Sequence, residues 1–344
     1  MIFKKPSIFS SKGLRVEKSL NSSGVILNEH LIEELKPADY CVKTSRLLDG
    51  DAPKQFIKAY FHGDNPCVKK QSPKSWCAYI AKTAEKWYPV ESVVEYMINR
   101  IGQVMGLHMN DVRLVKANTQ IRFLSRYFLA ENEQLIHGAE ICGAFLEDMS
   151  LAEQIANDKL SARELFTFEF IRRAMQAVYP QHCERLLNDL VRMVVFDAIV
   201  GNNDRHFYNW GIIDSIKKSK KPPTFAPLYD SARGLLWNAS DSNVAGMMAN
   251  HAAGGKKIVQ YIHKAAPRIS IEGNSDVNHF ELVRFLIQEE AGYKEIVREL
   301  STEALEAAVL KMLKKEFYVL FVPVRSEAVS LILKERFAQI RRLL

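Results

Sequence analysis

The five cysteines (Cys41, Cys67, Cys77, Cys142, Cys183) stand far apart, and none falls at CxxC spacing. That removes zinc ribbons and points to a reducing, cytoplasmic compartment. No apolar run approaches about 20 residues, so no transmembrane helix is expected. The start, residues 1–12, has lysines but neither an apolar core nor a cleavage pattern, so a Sec signal is not expected. No GxGxxG follows a strand and no GxxxxGK[ST] occurs, which excludes the dinucleotide and P-loop folds. Basic residues are not interleaved with aromatics. The net charge of +7 therefore reads as solvated surface, part of it set against a polyphosphate, with no direct nucleic-acid contact expected. There is no internal repeat.

What remains is an ordinary globular composition: 344 residues, 47% hydrophobic and 25% charged, enough for two lobes. Residues 1–30, rich in Ser, Lys and Asn, read as a loosely packed leader, and residues 28–35 as a short helix. Strands are expected at 55–62, 76–83, 111–116 and 120–128, the first broken at residues 63–66 and the last two joined by a turn at Asn118-Thr119. Between them, apolar residues at helical spacing from Val94 to Met105 predict a helix over 90–105, stopped by Gly106.

From Ala139 the pattern turns helical. Ser161-Ala162-Arg163-Glu164 reads as a capping box opening a helix to about Val178. A second helix spans 184–200 and ends at Gly201, and a hairpin follows over 210–213 and 224–228, with a Lys-rich tip. Residues 230–255 look like a long non-periodic loop. Helices at 277–292, 302–317 and 326–344 close the chain, the last with a core stripe of Val329, Ile332, Leu333, Phe337 and Ile340. The expected architecture is α+β and bilobal, protein-kinase-like: a strand-rich N-lobe over 1–130 and a mostly helical C-lobe over 131–344.

The stretch Asn202-Asn203-Asp204-Arg205-His206-Phe207-Tyr208-Asn209 carries the chemistry. It follows an apolar helix and precedes the hairpin, whose return ends in Leu228-Tyr229-Asp230. An Asp, an Asn five residues on, and a later Asp are what phosphoryl transfer on a kinase scaffold uses: one carboxylate for the acceptor hydroxyl, an amide oxygen and a carboxylate for Mg²⁺ on ATP. Asn and Asp also simply cap and turn chains. Lys82 near the end of its strand suits a phosphate. Glu95, off the apolar face of its helix, is either solvated or the partner of Lys82.

Phe196-Asp197-Ala198-Ile199-Val200-Gly201-Asn202-Asn203-Asp204-Arg205-His206, with Asn209-Trp210 and Ala226-Pro227-Leu228-Tyr229-Asp230, resembles the HipA-like Ser/Thr kinase family. Tyr79-Ile80-Ala81-Lys82 and the helix with Glu95-Tyr96-Met97 resemble its nucleotide-binding strand and its paired Glu. The resemblance implies an ATP- and Mg²⁺-dependent protein Ser/Thr kinase able to phosphorylate itself. It casts Asp204 as base, Asn209 and Asp230 as Mg²⁺ ligands, and Lys82, paired with Glu95, as the α/β-phosphate ligand. His206 is expected to support the loop or approach the γ-phosphate, and Ser125, Arg126, Tyr127 and Phe128 to form the adenine hinge. Gln71-Ser72-Pro73-Lys74 is similar to the family segment near an autophosphorylated serine, making Ser72 and Ser75 candidates. The family's long members carry an extra N-terminal domain, so this chain reads as a compact member. Implied partners are a protein substrate and an antitoxin-like protein, with no membrane. A lipid or small-molecule kinase, and a non-catalytic toxin–antitoxin binding module, are the alternatives. Delivery into another cell is the alternative to action in the cytoplasm.

Overall fold

The structure is a computed structural model and describes residues 13–18, 21–43, 54–63, 67–84, 86–217 and 221–344. In the N-terminal part the strands are β1 (Asn21–Ser22), β2 (Glu33–Glu34), β3 (Tyr40–Val42), β4 (Lys54–Ala59), β5 (Cys77–Lys82), β6 (Trp87–Tyr88), β7 (Val112–Ala117) and β8 (Gln120–Arg126). Six of them form one sheet in the order β2-β7-β8-β5-β4-β3, antiparallel except for β2 on β7. Helix α1 (Val90–Val104) lies across it. The turn between β7 and β8 takes two successive left-handed residues, Asn118 at φ 46° and Thr119 at φ 67°, the handedness that a tight hairpin on a twisted sheet requires.

Strand alternation sets what faces the cleft. In β5, Tyr79 and Ala81 join a core on the outer face of the sheet with Ile57, Val115 and Leu124. Side chains two apart share a face, so Lys82 is turned the other way, toward α1. Val93, Val94, Met97, Ile98 and Ile101 of α1 belong to the second and larger core, which continues into the helical half. Tyr96 against Phe317 and the Arg100–Glu316 ion pair carry the same helix onto the C-terminal part.

A second sheet, β9 (Glu133–His137), β10 (Gly211–Ser215) and β11 (Thr224–Phe225), is ordered β11-β10-β9. The expected hairpin is thus present with a third strand added. The helices that follow β9 are α2 (Gly138–Leu146), α3 (Met149–Asn157), α4 (Lys159–Leu165), α5 (Phe168–Val178) and α6 (Cys183–Val200). After β11 come α7 (Asp241–Ala252), α8 (Lys257–Lys264), α9 (His279–Glu289), α10 (Ala291–Leu300), α11 (Glu303–Glu316) and α12 (Pro323–Arg341). Buried α6 ends at Gly201, φ 68°, and delivers the chain into residues 202–209.

Several expectations are corrected. The Ser161–Glu164 capping box lies inside α4, whose N-cap is Asp158, accepting from the Ser161 N–H at 2.8 Å. The helix expected to run to Val178 is broken at Phe166, and Thr167 caps a new one by accepting from Phe170 N–H. Both caps satisfy N–H groups that no helical carbonyl reaches. Residues 28–35 form a single 3₁₀ turn and then β2, because pairing with β7 supplies the bonds a helix would have made. The loop expected over 230–255 contains α7, started by Ser240; its Gly, Ala, Ser and Asn content hides the apolar periodicity. The tail holds two further helices, α8 and α10. In the leader, Leu14 is buried and Ile26, Asn28 and Ser23 bond to Asp241, Leu320 and Tyr88, so the described part is packed. The rest of that leader, residues 64–66 and 218–220 of the Lys-rich tip lie outside the described residues. Among the described residues no helix is long and apolar enough to cross a membrane.

At Gly211 an added Cβ would collide with the backbone carbonyl oxygen of Ile136 on β9. The backbone cannot give way as a flexible side chain would. Gly211→Ala should destabilise the protein by about 1–3 kcal/mol, read from the shift of its urea unfolding midpoint.

Candidate active site

The ends of β5, α1, α6 and β11 converge on one polar cleft. Lys82 Nζ lies 3.0 Å from Glu95 Oε1 and 2.9 Å from Asp230 Oδ1. Glu95 is only 5% exposed, so the solvated reading of this residue is wrong: tertiary packing turns its face of α1 onto β5. Burial pushes the Glu95 carboxyl up to about 7, with Lys82 opposing the shift and Asp230 adding to it. Burial also acts against the Lys82 charge, but Asp230 and Glu95 outweigh it and hold the ammonium above its ordinary range. For Asp230 the desolvation that would raise its carboxyl is overcome by Lys82, which draws it down to about 2. Asp230 adopts φ 54°, a left-handed conformation that Asp tolerates better than most residues.

The loop after α6 is built around Arg205, which sequence reasoning left without a role. Its guanidinium is 2% exposed. Five bonds engage it: Nε and Nη2 to the two oxygens of Asp197 at 2.8 and 2.9 Å, Nη2 to Ser231 Oγ, and Nη1 to the carbonyls of Asn209 and Tyr229. That uses every donor an arginine has. One side chain therefore pins residue 209 to residues 229–231. Asn202 Nδ2 donates to Asp197 and its Oδ1 accepts from Asp204 N–H, completing the turn.

Asn209 Nδ2 donates to the Asp204 carbonyl at 2.8 Å, which leaves Asn209 Oδ1 as the acceptor end of the amide. Asn209 Oδ1 and the Asp230 carboxylate are hard oxygen donors of the kind Mg²⁺ takes. Among the described residues no group of three or more His, Cys, Asp or Glu is placed to hold a metal. A pair of oxygens suits an ion that completes its shell with phosphate and water. His206 Nδ1 accepts from Tyr208 N–H at 3.2 Å. Burial lowers its pKa, with Asp204 and Asp230 opposing, so the ring is neutral near pH 7 and braces the loop.

Asp204 is held in a way the sequence did not suggest. Arg268 Nη2 lies 2.6 Å from Oδ1 and Arg233 Nη1 2.9 Å from Oδ2. Arg233 stands three residues past Asp230, a weak positional signal; Arg268 lies in a stretch with no motif at all.

The remaining candidates are spread out. Ser125 Oγ accepts from Asn110 Nδ2 at 2.7 Å. The N–H groups of Arg126 and Tyr127 are spent on the carbonyls of Asp111 and Ala78, and the Arg126 side chain turns outward to Asp111. Phe128 packs on Tyr229 at 5.9 Å between ring centroids, which puts the end of this segment beside the Asp230 turn. Ser72 and Ser75 precede β5 at the end opposite Lys82. Lys82 pairs with Lys54 and Cys77 with Ala59, so Lys82 and the strand end that Ser72 and Ser75 precede are about 16 Å apart at ~3.3 Å per residue. Ser75 Oγ closes its own turn by donating to Ser72 O. A cavity of about 450 Å³ opens between α7 and α8, lined by Met247, Lys257 and Tyr261 among others; none of the residues above lines it.

The family model described as the HipA-like C-terminal domain matches residues 48–310. Among curated protein sequences none matches. Of solved structures, the Helicobacter pylori proinflammatory kinase CtkA is similar with a TM-score of 0.67 and 14% identity, over 88% of this chain and 93% of that one. That likeness establishes a shared kinase-like fold. The HipA of Shewanella oneidensis MR-1, solved with HipB and operator DNA, aligns at a TM-score of 0.46 and 12% identity, over 87% of this chain and 65% of that one.

Removing one member of a buried ion pair leaves the other charge uncompensated. Asp197→Ala should cost about 3–5 kcal/mol, measured by chemical denaturation.

Proposed function

Since the chain belongs to the HipA-like C-terminal domain family, we propose that it is an ATP- and Mg²⁺-dependent kinase that phosphorylates a protein Ser or Thr hydroxyl. The observation that carries this is the convergence of Lys82, Glu95 and Asp230 in one ion cluster, with Asp204 and Asn209 joined to the same turn through Arg205. Residues spread over more than a hundred positions are drawn into one connected set of ion pairs and hydrogen bonds, which supports the reading as a phosphoryl-transfer site.

The geometry supports the following roles. Lys82, kept charged by Glu95, offers its ammonium to the nucleotide phosphates. Asn209 Oδ1 and Asp230 are the residues that would hold Mg²⁺. When bound, the ion neutralises charge on the phosphate oxygens. Asp204 orients the acceptor hydroxyl and receives its proton. The hydroxyl oxygen bonds to the γ-phosphorus as the bond from that phosphorus to the bridging oxygen breaks, and ADP leaves. Neutral His206 keeps the loop in shape without taking the proton. Ser125 to Phe128 border the adenine side, and because Arg126 and Tyr127 have committed their N–H groups to the sheet, a base would be met by the groups around them. Self-phosphorylation at Ser72 or Ser75 would proceed between two molecules, given their distance from Lys82. The five scattered cysteines, none at CxxC spacing, support action in a reducing compartment.

Asp204→Asn should keep a cooperative unfolding transition, lowered by about 1–3 kcal/mol because Arg233 and Arg268 lose their counter-charge, and reduce transfer from ATP by at least about 10²-fold. Phosphate release from labelled ATP, with mapping of phosphosites by mass spectrometry, measures it; unchanged transfer would refute the assignment.

Protonation of Glu95 removes its negative charge from Lys82. Because its carboxyl is raised to about 7, the pair is lost as pH falls through that value and intact above it. The apparent kcat/KM should rise with pH to a plateau above about 7, and the acid limb should vanish in a slower Glu95→Gln variant.

A further inference from the structure

The acceptor side of the cleft holds more positive charge than a neutral hydroxyl calls for. Both oxygens of Asp204 are taken by guanidinium groups, Arg233 and Arg268. Lys159, at the start of α4, belongs to the same field: burial lowers its pKa, Arg268 and Arg163 lower it further, and Asp204 acts in the opposite sense. Two guanidinium groups thus hold one carboxylate with a third cation in the same field, since the other acids of the cleft, Glu95 and Asp230, are committed to Lys82.

The two arginines differ in how they are held. Arg233 is fixed at both ends. Its carbonyl accepts from Asn203 N–H at 3.2 Å, and its guanidinium lies over the Trp237 ring at 5.3 Å. Arg268 has a rigid base and an exchangeable tip. Buried Arg163 fixes its backbone by donating to the carbonyls of Pro267, Ser275 and Val277, and Ser270 Oγ donates back to Arg163 O. At the tip, Arg268 Nε is buried with no partner, and only Nη2 reaches Asp204. An anion arriving here would satisfy a donor the protein leaves unmet and would gain charge-assisted bonds. Leu160, next to Lys159, is 75% exposed, an apolar contact suited to a peptide rather than to a nucleic-acid backbone.

We propose that the acceptor site takes a peptide bearing a carboxylate or phosphate close to the hydroxyl, and that Arg268, with Lys159 beside it, reads that anion by transferring to it from Asp204. The transfer frees Asp204 Oδ1 for the hydroxyl proton, so the clamp is released only by a substrate of the right charge. This inference rests on the reading of Asp204 as the base.

The test uses the full chain with Mg²⁺ and a non-hydrolysable ATP analogue. Labelled serine peptides that differ only in carrying Asp, phosphoserine or Gln near the acceptor are bound and followed by fluorescence anisotropy. Either anionic peptide, or both, should bind about tenfold more tightly than the Gln peptide, and the comparison of Asp with phosphoserine identifies which anion is preferred. Arg268→Gln should abolish the difference, Arg268→Lys should keep part of it, and Lys311→Gln, an exposed site on α11, should not alter it. Equal binding of charged and neutral peptides, a preference that survives Arg268→Gln, or displacement by an equal concentration of oligothymidylate would overturn the proposal. Transfer from ATP is assayed in parallel. Preferential binding without transfer would overturn the kinase reading and leave the anion-reading site standing; transfer without preference would do the reverse.

Discussion

The buried pair of Arg205 and Asp197 is what the rest of the site depends on. Asp197 belongs to the buried C-terminal turns of α6, and Arg205 belongs to the loop that leaves it. Burying two charges is unfavourable unless the geometry is good and the remaining hydrogen-bonding groups are satisfied. Here the guanidinium has no idle donor, and the groups it satisfies are backbone carbonyls of two separate turns and a serine hydroxyl. The pair therefore acts as a fastener. It converts the end of one helix into a fixed distance between Asn209 and Asp230, residues that belong to opposite ends of a hairpin.

Around that fastener the charges are arranged in two groups. At one end Lys82 sits between Glu95 and Asp230, and the unequal effects of burial leave one carboxyl raised and the other depressed. Around Asp204 the imbalance is reversed, with guanidinium groups in excess over the carboxylate. A cleft with acids meeting a lysine at one end and arginines meeting an acid at the other is polarised from end to end. The segment after Asp230 is under strain as well. Leu235 and Leu236 both take left-handed conformations, at φ 41° and 66°. Their amides are held by Val200 O and Tyr261 Oη, and Arg325 grips the Leu236 and Ala239 carbonyls, so distant helices maintain the turn that carries Arg233.

Much of this was legible in the chain. Strands β4, β5, β7 and β8, helices α1 and α6, and the stripe on α12 follow from alternation, helical spacing and glycine stops, all signals that act within a few residues. The stretch from Asp204 to Asn209 was visible because a polar loop after a long apolar helix is uncommon. Less was legible where local composition and tertiary pairing disagree. Residues 241–252 form a helix because Ser240 caps them and Val244 packs inward, although their composition resembles a loop. Residues 33–34 form a strand because β7 offers an open edge.

By itself the sequence determined the α+β class, the main N-terminal strands, helices α1 and α6 and the candidates Lys82, Asp204, Asn209 and Asp230, because periodicity and spacing are properties of neighbouring positions. Only the tertiary structure decided which of those residues face one another. It decided between the two readings of Glu95 by seating it on Lys82, set Ser72 and Ser75 beyond the far end of β5, and brought Arg268 from an unmarked loop to Asp204. The physical reason is the same in each case. An ionic contact is fixed by distance in space and by the water excluded around it, and neither quantity is written in the separation of two residues along a chain.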